Sequence, residues 1–212
     1  MKSFQHNTCQ SHDTLGQISA YVAAHLGAQF HCHIYSLLVV WDEARILRWD
    51  RSGTIVSEAI SYNNQPHLVE FFARFSAASP QMRGHDTSVS QPTDVQKHVA
   101  AKALDLPLST KLFGLKVPEC QGSYIVAAPL APSYTPPGHA TRGFKAYSTQ
   151  TNTVVFLKDT WRINLPEIIE EGLTYKRLNE ASVPHILKCL TSGDIGDGEH
   201  LLYTSLALSP CS

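Results

Sequence analysis

Lys158 is the residue whose type and setting point most directly to chemistry: it closes the apolar run Val155-Phe156-Leu157. Upstream lies Gly138-His139-Ala140-Thr141-Arg142-Gly143-Phe144. Downstream, Pro166-Glu167-Ile168-Ile169-Glu170-Glu171 opens a stretch that ends in Lys176-Arg177-Leu178. A lysine ammonium is a compact charge on a flexible stem, so it can reach phosphate oxygens while its methylenes pack on apolar neighbours. Glycines let backbone come close to phosphates, and a glutamate on a following helix holds the lysine in place. The order is glycine turn, strand, strand ending in lysine, helix with glutamate. It fits a phosphate-holding site with glycines in the turn, Lys158 as the cation and one of Glu167, Glu170 and Glu171 as its counter-charge.

Each part alone has a plainer reading. A lysine after apolar residues is ordinarily a solvated strand end, and glutamates in a first helical turn ordinarily serve the helix dipole. The order and spacing together carry the phosphate reading. Other groupings carry less. His31-Cys32-His33 combines two good metal-ligand types, but in an extended segment Cys32 faces away from both histidines, and no second ligand pair lies nearby; it reads as the entry to a strand. The five cysteines are odd in number and scattered, so they read as reduced thiols, and no metal site is assigned. Arg83-Gly84-His85-Asp86 precedes the lysine strand and is not a catalytic loop.

The elements that must position Lys158 follow from hydrophobic spacing. Apolar residues at Leu15, Ile18, Tyr21, Val22 and Leu26 predict a helix over 14–30, with Asp13 or Thr14 as its cap. Ile34–Trp41, Arg45–Asp50 and Thr54–Ile60 predict three strands of an antiparallel meander, with Arg51-Ser52-Gly53 as a turn. Helical spacing returns at Leu68, Val69, Phe71, Phe72 and Phe75, and 94–104 fits another short helix. Residues 123–129 read as a strand. The prolines at 129, 132, 136 and 137 mark the expected domain boundary. After Lys158, a helix opened by Pro166 is expected, then strands over 185–190 and 201–208 separated by a turn over 191–200.

At 212 residues and 43% hydrophobic, the chain can bury one large core or two small ones. A net charge of −1 supplies no field to recruit nucleic acid or an anionic membrane, so neither is expected as a partner. The polar first residues lack the apolar core of a signal peptide, and no apolar run is long enough to span a bilayer. An intracellular location, cytoplasmic or nuclear, is expected.

Several strings are distinctive: Arg45-Ile46-Leu47-Arg48-Trp49-Asp50-Arg51-Ser52-Gly53, Pro66-His67-Leu68-Val69-Glu70-Phe71, Arg74-Phe75-Ser76, Thr141-Arg142-Gly143-Phe144-Lys145-Ala146-Tyr147, and Val155-Phe156-Leu157-Lys158-Asp159-Thr160-Trp161-Arg162. They resemble the fungal-type protein kinase family of mushroom-forming fungi, from roughly Leu15 to Asp194. The resemblance implies an α+β fold: a leading α+β domain with an antiparallel meander over 13–130, then a protein-kinase N-lobe, an antiparallel sheet plus one helix, over 138–208. Residues 1–12 and 209–212 are expected to be disordered. It further implies ATP with magnesium and phosphoryl transfer to protein Ser/Thr. Gly138 and Gly143 match the phosphate loop, Lys158 the phosphate-holding lysine and Glu171 its helix partner. Two departures stand out: Ala140 takes the place of the middle glycine, and Phe156 that of a small residue before the lysine.

No His-Arg-Asp and no Asp-Phe-Gly appears, and Asp194-Ile195-Gly196 follows Lys158 too closely to be the magnesium motif. No catalytic or metal-binding residue is therefore assigned, and the C-lobe is expected to be absent. The expected function is that of a kinase-family chain cut before its catalytic loop and inactive alone; the alternative is a non-catalytic, pseudokinase-like module that binds another protein.

Overall fold

The computed structural model describes residues 9–118, 120–130, 140–163, 165, 167–195 and 201–209. Among them are four helices and two antiparallel sheets, an α+β fold. The chain divides into two compact units at His85/Asp86.

The first unit holds α1 (Cys9–Ala28), β1 (His33–Val40), β2 (Glu43–Asp50), β3 (Thr54–Val56), β4 (Ile60–Ser61) and α2 (His67–Ala77). β1 and β2 pair along their whole length, from His33 opposite Asp50 to Val40 opposite Glu43. The alternation expected of a half-buried strand sends Ile34, Leu47 and Trp49 to one face, where Val22 and Leu26 of α1 complete the core. Trp49 donates its indole N–H to Ser36 Oγ at 2.7 Å, so its polar edge is paired inside that core. On the opposite face Phe71 and Phe75 of α2 meet the Tyr35 ring edge-on. A short loop closes the unit: Cys32 N–H donates to the Gly84 carbonyl at 2.8 Å, and His31 bridges His85.

The second unit holds β5 (Val89–Ser90), α3 (Asp94–Leu104), β6 (Phe113–Leu115), β7 (Tyr124–Val126), β8 (Arg142–Ser148), β9 (Thr153–Ile163), α4 (Glu171–Glu180), β10 (Lys188–Ile195) and β11 (Leu201–Ser209). All seven strands form one antiparallel sheet in the order β10-β11-β9-β8-β7-β6-β5. Thr93 caps α3 with a reciprocal box to Gln96, and Asp105 ends it in the left-handed conformation at φ 59°. Ala100, Ala101 and Leu104 of α3 pack on Ile125 of β7 and Tyr147 of β8.

Several expectations are corrected. The proline stretch from Pro129 interrupts one sheet rather than separating two domains, because Tyr124–Val126 pairs with Ala146–Ser148 across it. Residues 131–139 lie outside the described residues. Residues 9–12 belong to α1 and Ser209 to β11. Asp194 and Ile195 are not in a turn: they pair with Thr204 and Tyr203, which extends β10 to Ile195. Hairpin pairing with β11 continues through Ser192-Gly193-Asp194 despite its turn-forming residues. Residues 196–200 lie outside the described residues.

Gly84 tests the closing loop. Its φ is +94°, and a Cβ there would meet the His33 carbonyl oxygen at 1.9 Å, so backbone must move to admit one. Gly84→Ala is expected to cost at least about 2 kcal/mol, read as a lowered urea midpoint. His33 carries a pH signal. Burial first, then the Arg48 charge, holds its pKa below 6.5. The folded state prefers neutral His33, so the stability it contributes is present above pH 6.5 and is lost as pH falls through the folded value. The urea midpoint should fall between about pH 7 and about pH 5, and less so in His33→Gln.

Candidate phosphate-holding site

β8 and β9 pair without interruption from Arg142 opposite Asp159 to Ser148 opposite Thr153. Directly opposed residues share a face and successive residues alternate. Gly143, Lys145 and Tyr147 therefore lie on one face with Phe156 and Lys158, and Ile125, opposite Tyr147, joins them. Arg142, Phe144, Leu157 and Asp159 take the other face and are buried.

The buried face holds an ion pair. Arg142 grips Asp159 through Nε at 3.1 Å and 3.2 Å and Nη2 at 2.9 Å, with the carboxylate fully buried. On the exposed face the Lys158 ammonium donates to Glu171 Oε1 at 2.5 Å, with both side chains about a third exposed. Glu171 is the first residue of α4, so its carboxylate also lies at the positive end of that helix. Arg162 secures the approach to α4: it pairs with Asp194 on β10 and reaches Glu170 at 3.7 Å, one residue before the helix. Burial pushes the Tyr124 phenol and the Cys189 thiol upward, so both stay protonated near neutrality and neither is an activated nucleophile.

Of the four residues singled out in the sequence, Gly143, Lys158 and Glu171 are brought together: Gly143 is Lys158's cross-strand partner and Glu171 its ion-pair partner. Gly138 lies outside the described residues. Gly143 is inside β8 rather than in the preceding turn. The tip of the Phe156 ring lies over it: a Cβ there would come within 2.8 Å of Phe156 Cζ, so the ring would have to move to admit one. Ala140, in the middle-glycine place, has φ 39°, a conformation that favours glycine. The helix expected from Pro166 begins at Glu171; Glu167 lies in a turn ahead of it, and Pro166 is outside the described residues. The Arg142–Asp159 pair and the role of Lys145, whose ammonium donates to the Leu104 carbonyl at 2.9 Å, were missed. The first had a signal: in a hairpin that sets Gly143 opposite Lys158, the flanking arginine and aspartate must oppose each other.

ATP and magnesium fit these residues only in part. The Lys158 ammonium, held by Glu171, is a donor that a phosphate oxygen could accept from. The Phe156 ring lies over Gly143 on the same face. Among the described residues no group of three or more His, Cys, Asp and Glu side chains could hold a metal ion, and Asp194 is engaged by Arg162.

The family model described as fungal protein kinase matches residues 2–205, nearly the whole chain, and the chain belongs to that family. No curated protein and no solved structure matches it.

The two ion pairs should respond differently to loss of one partner. Arg142→Leu takes the arginine away from a fully buried carboxylate and is expected to cost about 3–5 kcal/mol. Lys158→Met breaks a partly solvated pair and should cost less than about 1 kcal/mol. Urea unfolding of both variants checks this; a Lys158→Met loss as large as that of Arg142→Leu would make the Lys158 pair a structural element.

Proposed function

We propose that the second unit is the phosphate-holding part of a protein-kinase fold, and that phosphoryl transfer from ATP to protein hydroxyls needs catalytic residues these 212 positions do not contain. The Lys158–Glu171 pair carries this reading. A strand lysine held by a glutamate on the next helix is the device with which protein kinases hold nucleotide phosphates. In this role Lys158 Nζ donates to phosphate oxygens. Glu171 restrains the ammonium, and Gly143 keeps the strand opposite it low. ATP, when bound, supplies the phosphoryl group.

The remaining requirements are an aspartate to orient the attacking hydroxyl, and an aspartate and an asparagine to hold magnesium. The sequence has neither His-Arg-Asp nor Asp-Phe-Gly. These residues alone are therefore assigned binding without transfer. A non-catalytic module that binds another protein is the second reading, favoured by the Phe156 ring against Gly143. An intracellular setting goes with either reading.

Two measurements test this. The purified chain should incorporate no radiolabelled phosphate into a generic protein substrate; incorporation abolished by Lys158→Met would overturn the assignment. Inorganic tripolyphosphate should bind, and Lys158→Met should weaken it by about tenfold, the worth of one charged contact. Equal binding by both forms would remove Lys158 from the site.

A further inference from the structure

The lysine face of the sheet is flanked by two helices. α4 supplies Glu171 to Lys158. On the other side α3 packs its Leu104 turn against Tyr147, and Lys145, between Tyr147 and Gly143 on the same face, is tied to the Leu104 carbonyl at 2.9 Å. A strip of floor remains between them, made of Gly143, Lys145, Phe156 and Lys158.

Phe156 decides the shape of that strip. It stands two residues before Lys158, so both side chains rise from the same face, and in the kinase pattern Val-Ala-Ile-Lys this place belongs to alanine. Its ring leans across to the opposing strand, with Cζ 2.8 Å from where a Gly143 Cβ would stand. The ring therefore covers Gly143, the residue directly opposite Lys158, and takes up floor that a flat base attached to phosphates on that lysine could otherwise occupy. Lys145, directly opposite Phe156, is drawn towards α3 by its bond to the Leu104 carbonyl. A narrow phosphate chain needs only the ammonium and so avoids the ring.

We propose that Phe156 is a specificity-determining residue that makes the Lys158 site accept a phosphate chain while rejecting an attached nucleobase. Its ligand class is inorganic or terminal polyphosphate rather than nucleoside triphosphate. The filter is steric: a ring in the contact volume of the floor penalises the wrong ligand more than it aids the right one. The proposal rests on the phosphate-holding reading above, which tripolyphosphate binding tests separately.

Affinities of ATP and of inorganic tripolyphosphate, each with magnesium, are measured by calorimetry for the full chain, Phe156→Ala and Phe156→Leu. Phe156 is 41% exposed, so neither substitution empties a core position. The unsubstituted chain should bind ATP no more than about threefold tighter than tripolyphosphate. Phe156→Ala should raise the preference for ATP by about tenfold with tripolyphosphate affinity unchanged, and Phe156→Leu, which removes the ring but keeps an apolar side chain, should move it the same way. Three results overturn the filter while leaving the phosphate site intact: tripolyphosphate binding with ATP already strongly preferred, a preference unchanged in both variants, or one that falls in Phe156→Ala as for a stacking platform. If neither ligand binds any form, the phosphate-holding reading fails, and the filter with it.

Discussion

The register between β8 and β9 is the constraint on which the site depends. Arg142 and Asp159 meet as direct cross-strand partners with their charges out of water, and the next rung is Gly143 opposite Lys158. A slip of one residue sends every side chain to the other face. It would bury the lysine, expose Leu157 and leave the Asp159 carboxylate without its arginine. Buried charges tolerate loss of a partner poorly, so the pair makes one register far more favourable than its neighbours, whatever its net contribution to stability. The chemical side of the hairpin is thus held in place from the face it does not use.

The same principle recurs at the start of α4. Glu170, at the N-cap position, makes no side-chain capping hydrogen bond, which leaves the helix entrance dependent on tertiary contacts. Arg162 supplies them, pairing with Asp194 on β10 and approaching Glu170. Because Glu171 follows immediately, the residue that locks the helix entrance also brings the carboxylate within reach of Lys158. Two arginines on or beside the lysine strand therefore do positional work, while the lysine, held by Glu171, stays partly open to solvent.

Much of this was legible in the sequence. The helix over 94–104 and the strands around 34–41, 45–50 and 142–158 follow from hydrophobic period and turn residues, and the order of glycine, lysine and glutamate led to the 2.5 Å pair between Lys158 and Glu171. Local breaking signals and strand pairing part company at two places. The proline cluster and the Ser192-Gly193-Asp194 stretch are local breaking signals, yet strand pairing continues across the first and through the second. Pro166 and the glutamates after it signal a helix start, but α4 begins only at Glu171, beside the Arg162–Glu170 contact.

The chain's residue types by themselves determined the family, the α+β class, most elements and the lysine–glutamate partnership, because each is written in short-range spacing or in distinctive strings. Only the tertiary structure decided that β5 to β7 belong to the same sheet as the lysine strand, and that α3 lies on the lysine's own face. It alone showed that the Phe156 ring covers Gly143. Those outcomes depend on which strands pair and on where side chains meet after pairing, quantities set by burial and hydrogen bonding between residues distant in the chain.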